Sequence, residues 1–378
     1  MRKSDLKLFI PELLLVLFAI VAVGAPLIKM DTDRMNMFIA LVGLFCMIYY
    51  LVKGNRQMKV FGLSFGLSLS VFMLISIVYN GNAKLVNILW IWAYLGVALL
   101  LYQYGIRKFF ATLLFYAGSL FFVYQALTGN HAADELLNVG SENNISVYCI
   151  FLMIIYYLSC LKNGEIKKIP YIPILLVLFI ALWTASRAAM LTLGLFFVFV
   201  LIYNTIRGHF SISSVVMLLV IVVAVVYFSK NYFQEFGLAL TTKIDRYGGS
   251  SVRSLIWSDY FRGMGQSFGN FLFGVKGTDS QYPYLCYYNG NTHNAFLMLH
   301  SKFGVGGVVL IFWYLLLGTI KALKAKRYVF ISLLFVVALR AMFDWAAFPG
   351  LLDVIFYFYV IYAKDKYISL RQDAIVVR

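Results

Sequence analysis

Long apolar runs, each closed by a short polar or charged segment, recur from one end of this chain to the other. At about 1.5 Å of rise per residue, a hydrocarbon layer about 30 Å thick needs about 20 apolar residues per helical crossing. The pattern predicts twelve spans, near 8–28, 35–52, 60–79, 85–104, 108–127, 144–161, 170–186, 188–206, 211–228, 293–320, 327–345 and 347–363. The stretch from Ile169 to Ile206 is broken only by Ser186-Arg187. As one helix it would reach about 54 Å, so two short helices with a tight turn are expected. Between the ninth and tenth spans lies one large segment, Ser229 to Thr292. The expected organisation is 1–228 with spans one to nine, 229–292 as an external loop, and 293–378 with the last three spans and an inner tail.

Composition points the same way. Of 378 residues, 62% are hydrophobic and 13% charged, against about 25% charged in an ordinary soluble domain, and the mean hydropathy is +0.84. The fold class is therefore all-α and integral to a membrane. Charge tests the topology, because inner segments of membrane proteins are enriched in Lys and Arg. With both termini inside, the inner segments hold Arg2, Lys3 and Lys7; Lys53, Arg56 and Lys59; Arg107 and Lys108; Lys162, Lys167 and Lys168; Arg207; Lys321, Lys324, Lys326 and Arg327; and Lys364, Lys366, Arg371 and Arg378. Topology thus explains most of the net charge of +16, and nucleic acid is not an expected partner. The segment 229–292 departs from the rule with Lys230, Lys243, Arg246, Arg253, Arg262 and Lys276. A loop of this size is translocated regardless of charge, but an anionic ligand outside also accounts for six cations.

The four cysteines, at 46, 149, 160 and 286, lack metal-ligand spacing, and no cofactor or disulfide framework is expected. The first span ends without a small-residue cleavage site and is expected to be a retained helix.

Ionisable residues near the bilayer are costly there and so are the first candidates for chemistry. Arg187, in Trp183-Thr-Ala-Ser-Arg-Ala-Ala189, lies at the outer turn between spans seven and eight. Arg340 and Asp344 stand four apart near the outer end of span eleven and can neutralise each other on one helix face; alternatively Asp344 faces the cavity of Arg187. Glu142, in Ser141-Glu-Asn-Asn144, opens span six and serves equally as a capping group. His131 and His209 read as surface residues, and His300 as a hydrogen-bonded residue within a span. His293 differs, because Gly290-Asn-Thr-His-Asn294 places it where the loop meets span ten, with an Asn or Thr free to cap the helix. Arginine forks match phosphate oxygens and keep their charge, and histidine suits proton transfer near neutral pH. Arginines 187, 246 and 253 with His293 could hold a lipid-borne phosphate or pyrophosphate and deprotonate an incoming hydroxyl.

The order of the motifs is Ala185-Ser-Arg-Ala-Ala189, Asp245-Arg-Tyr-Gly-Gly-Ser-Ser-Val-Arg253 with Trp257, Phe271-Leu-Phe-Gly-Val-Lys-Gly277, Thr292-His-Asn-Ala-Phe-Leu297 and Phe303-Gly-Val-Gly-Gly307. In this order and spacing they resemble the superfamily of O-antigen ligases and Wzy-type polysaccharide polymerases. The resemblance covers about Trp183 to Gly307 in motif and the remainder in topology. It implies a GT-C-like, metal-independent, inverting membrane glycosyltransferase that takes a glycan from undecaprenyl pyrophosphate at the outer face of a bacterial inner or plasma membrane. By motif, Arg187 and Arg253 would hold the pyrophosphate, His293 would activate the acceptor hydroxyl, and Asn294, Arg246, Asp344 and Glu142 would contribute to substrate binding. The implied partners are the lipid-linked donor and acceptor glycans, membrane lipid and, as a candidate, a chain-length regulator protein. A moderate loop favours a polymerase of O-antigen, capsular or exopolysaccharide units. The alternatives are a ligase that transfers glycan to lipid A core and a transporter of lipid-linked glycans, against which the absence of an internal repeat speaks.

Overall fold

The computed structural model describes residues 3–28, 32–129, 133–137, 141–161, 168–208 and 252–365. Among them are helices only: α1 (Lys3–Gly24, extended by a 3-10 turn at Ala25–Leu27), α2 (Thr32–Lys53), α3 (Arg56–Asn80), α4 (Val86–Gln103), α5 (Lys108–Thr128), α6 (Ala133–Leu136), α7 (Asn143–Leu161), α8 (Ile172–Trp183), α9 (Arg187–Ile206), α10 (Val252–Gln266), α11 (Phe268–Phe273), α12 (Pro283–Tyr287), α13 (Ala295–Lys324), α14 (Tyr328–Met342) and α15 (Asp353–Lys364). Eight helices, α1 to α5, α7, α9 and α13, are long and apolar enough to cross a membrane. The ninth expected span, 211–228, and the loop as far as residue 251 lie outside the described residues, as do Arg246, His131 and His209.

The bundle is apolar on both sides of its wall. Helices α4, α7 and α15 form its centre, with Leu95, Ile150 and Phe356 fully buried, while α2, α3 and α5 expose Phe45, Val78 and Phe109. Large apolar side chains turned outward match hydrocarbon as their solvent. Between α2 and α4 the backbones touch: a Cβ on Gly96 would lie 2.6 Å from the Met47 Cβ, the close approach that small residues permit between membrane helices.

One end of the bundle is basic and braced by polar contacts. Arg107 pairs with the buried Glu12 at 2.6 Å, the Tyr102 hydroxyl donates to Asp365 at 2.7 Å, and Lys321 Nζ donates to the Tyr362 carbonyl at 2.8 Å. At the opposite end three helices stop short. The break in 169–206 is a turn, as expected: α8 has 12 residues, about 18 Å. Helices α14 and α15 have 15 and 12 residues. Where the expected spans 327–345 and 347–363 adjoin, residues 343–352 are non-helical, and 346–349 among them are buried, with Ala347 and Phe348 fully enclosed. Irregular backbone at such depth is tolerated where protein encloses it or where it lines a cavity. The Asp353 carboxylate accounts for its donors, accepting from Phe348 N at 2.8 Å and Gly350 N at 3.1 Å.

Helix α13 is also broken. Gly304 adopts φ 64° and ψ −174°, a region open essentially to glycine. A Cβ there would run into the Leu272 carbonyl oxygen and lie 3.3 Å from Phe273 Cα. The expected consequence of Gly304→Ala is a loss of about 1–3 kcal/mol, seen as a lower unfolding midpoint of the detergent-solubilised protein.

Candidate active site

Each candidate side chain is placed by a specific piece of local chemistry. Helix α8 ends in a Schellman arrangement: Ser186 N donates to the Ala181 carbonyl at 2.9 Å and Ala185 N to the Leu182 carbonyl at 3.0 Å, with Ala185 in the left-handed position (φ 46°) that glycine usually fills. Ser186, 1% exposed, is tied to Ser146 of α7 at 3.3 Å. Arg187 is then the first residue of α9 and is exposed. A cation at a helix N-terminus opposes the helix dipole.

Arg253 is the second residue of α10, whose inner face carries a small apolar core of its own with Ile256, Tyr260, Val275, Tyr282 and Leu285. Asp259 ties α12 to that helix, accepting from Tyr284 N at 2.8 Å and pairing with Arg262 at 2.8 Å. Arg262 therefore serves structure, and Lys276 is exposed. The four-residue step from Arg253 to Trp257 links the two halves of the site: Trp257 Nε1 donates to the Thr292 carbonyl at 2.8 Å, immediately before His293.

His293 sits in the left-handed region at φ 48°, which is uncommon outside glycine but more open to His and Asn than to most residues. Its N–H donates to Asn291 Oδ1 at 2.9 Å, and Thr292 Oγ1 donates to the Asn294 carbonyl at 2.9 Å. Asn294 Oδ1 caps α13, accepting from Phe296 N at 2.9 Å and Leu297 N at 3.2 Å. That carbonyl oxygen is thus engaged in holding the helix start beneath His293.

The 271–277 motif is a brace between the loop and two helices. Asn80 Nδ2 donates to the Phe273 carbonyl at 2.7 Å and the Ser301 carbonyl at 3.0 Å. Asn82 contacts the Val275 carbonyl and Ser301 Oγ (2.5 and 2.8 Å), and accepts from Gly277 N at 2.7 Å. His300 is hydrogen-bonded, as expected: its Nε2 donates to the Phe271 carbonyl and its Nδ1 accepts from the Tyr260 hydroxyl, both at 2.7 Å.

These supports converge electrostatically. Burial holds Arg253 below its ordinary pKa; Asp344 works against that shift, while Arg340 and Arg187 add to it. His293 is held below 6.5, first by burial and then by Arg253, with Asp344 opposing. The imidazole is therefore neutral at pH 7. Arg253 thus feels Arg187, Arg340 and Asp344, and His293 feels Arg253 and Asp344, although these residues come from α9, α10, the loop before α13, α14 and the turn after it. The Arg340–Asp344 pair forms, at 2.9 Å, and Asp344 also bears on Arg253 and His293. Glu142 lies in the turn before α7, half-buried, next to Asn143.

Three buried ionisable residues in the expected spans escaped the sequence reading: Glu12, Lys302 and Asp353. Lys302, 4% exposed, places its Nζ 4.2 Å from the centre of the Trp345 ring. The criterion that singled out Arg340 applied equally to all three. Among the described residues no group of three or more His, Cys, Asp or Glu is arranged to hold a metal ion.

Residues 172–312 match the O-antigen ligase family, the stretch that carries all the motifs from Ala185 to Gly307. Among curated proteins none matches the chain. That stretch is thus similar to the O-antigen ligase family, and the long apolar helices indicate a multi-pass membrane protein.

Proposed function

Proceeding from this family match, we propose that the protein is a metal-independent, inverting polymerase that joins undecaprenyl-pyrophosphate-linked oligosaccharide units at the outer face of a bacterial inner or plasma membrane. The observation that supports this reading best is the convergence of two arginines and a neutral, strained histidine at the end of the bundle opposite the basic one. With twelve spans and the basic end inside, that end faces outward. Arg187 and Arg253 hold the pyrophosphate of the donor. The acceptor hydroxyl attacks the anomeric carbon from the side opposite the leaving group, and its proton passes to His293. The bond from that carbon to the pyrophosphate oxygen breaks, and the arginines neutralise the released charge. Orientation supplies several kcal/mol of the barrier and fixed positive charge much of the rest. Arg246 and Glu142 belong to the same substrate path in this reading, and a chain-length regulator would act from outside the cavity.

A polymerase fits the small, compact 252–292 cap, since an acceptor that is itself lipid-linked reaches the cavity through the membrane and needs no docking surface. The description of the matched family favours a second reading, a ligase acting on lipid A core. Reconstitution of the purified protein with a lipid-pyrophosphate-linked repeat unit and EDTA separates the two. A product ladder supports polymerisation; a single band that is extended only when lipid A core is added supports ligation; no transfer to either acceptor sinks both.

The acid limb of activity follows from His293. Because its pKa lies below 6.5 and the neutral imidazole is the active form, the rate rises with pH through that lowered value and levels off above it. An initial-rate profile with its midpoint above 6.5 would count against histidine as the base.

A further inference from the structure

We propose that Arg340 is a positioning residue for the transfer: by gripping Asp344 and the start of α7 together, it fixes a negative charge shared by His293 and Arg253. The inference rests on the reading of the site as a pyrophosphate-dependent transferase and assigns a further residue to it.

A carboxylate in a cavity that must bind pyrophosphate repels the substrate, so Asp344 needs another task. Its geometry supplies one. Arg340 is 1% exposed, and its Nη2 donates both to Asp344 Oδ2 at 2.9 Å and to the Asn143 carbonyl at 3.1 Å. The second carboxylate oxygen, Oδ1, accepts from Trp345 N at 2.8 Å. Asp344 is thereby held from both sides at the point where α14 ends, and the same guanidinium ties α14 to α7. A pair needed only to neutralise charge on a helix face would not require the second bond, nor complete burial of the arginine. Nε and Nη1 of Arg340 are enclosed and meet no acceptor among the described residues. Such burial costs stability, so packing alone does not explain an arginine here.

Among the described residues, the charged groups that bear on His293 are Arg253 from α10 and Asp344 from the turn after α14, and the Tyr288 ring meets the imidazole edge-on at 5.4 Å. Asp344 is the anionic one among them. It offsets Arg253 and stabilises the imidazolium that forms when the acceptor proton arrives. It does so only while Arg340 holds it at that point.

The test compares R340K and D344E with the wild type, in the full-length protein in detergent, by 15N-histidine NMR titration. The chain has four histidines, and His293→Gln assigns the resonance. R340K keeps the charge but not the fork, and D344E keeps the charge but moves it out of the grip. Both are expected to lower the His293 pKa by about 0.5 to 1 unit and to move the acid limb of transfer by the same amount. Wild-type titration in both variants overturns the proposal, since a role in charge balance or packing alone predicts no change in a folded variant. Either variant suffices if the other does not accumulate. If the wild type transfers no glycan, the reading of the reaction fails, while the titration still decides whether Arg340 positions Asp344.

Discussion

His293→Ala is expected to lower the rate of glycan transfer about 10²- to 10⁴-fold, the usual contribution of a positioned general base. The protein should remain folded and inserted. His293 is half-buried, and its side chain supports no helix; the neighbouring Asn294 caps α13, and Trp257 holds the Thr292 carbonyl. The backbone of His293 is strained at φ 48°, and that strain persists because the bonds on either side of it fix the turn. His293→Asn, which accepts the same backbone more readily than alanine does, should fold at least as well and be similarly inactive. The readout is initial rate against expression and unfolding midpoint for the three proteins. Substantial activity in a folded His293→Ala would remove the histidine from the chemistry, and loss of activity in Asp344→Ala alone would then move the site towards α14.

Arg253→Ala should cost about 10²- to 10³-fold in rate, the scale found when one preorganised group that stabilises developing charge is removed. Arg253 lies in a crowded field, half-buried with Arg187 and Arg340 adding positive charge and Asp344 opposing them. Holding three cations together costs energy in the empty site, and an arriving pyrophosphate relieves that cost. Arg253→Lys should therefore recover only part of the rate: it restores a point charge without the planar fork that matches phosphate oxygens. Arg187→Ala should weaken transfer in the same direction, since Arg187 meets the ligand from the N-terminus of α9. The measurement is the donor-concentration dependence of the rate. Both variants should need more donor for half-maximal rate, and the lysine variant less than the alanine one. Unchanged donor dependence in Arg253→Ala would place the pyrophosphate elsewhere.

The site was partly legible before the fold was known. Arg187 and His293 stood out as polar side chains at the ends of spans, where packing gives them no other employment, and Arg253 as one of six cations in the outer segment. The cap at Asn294 and the hydrogen-bonded His300 followed from the same local reasoning. Trp257 is different: its role in tying α10 to the turn at His293 depends on a contact across 35 residues, which no local pattern reveals. The Asn80 and Asn82 clamp on the 273–277 turn joins partners about 190 to 220 positions apart, and in the sequence those asparagines look like the polar end of a span. Lys302 and Asp353 were hidden for a further reason. Each is a single charge inside an apolar run, and hydropathy averaged over a window absorbs it.

By itself, the sequence determined the solvent and the chemistry on offer, because these follow from local quantities: the length of apolar runs and the identity of the side chains at their ends. The tertiary structure decided three things. It showed that helices α8, α14 and α15 stop short at one end, that residues 346–349 are buried there without helix, and that Asp344 pairs with Arg340 and bears on Arg253 and His293. None of these is a property of one segment. Each depends on which groups several helices bring within electrostatic and hydrogen-bonding reach, and that is set by packing over the whole bundle.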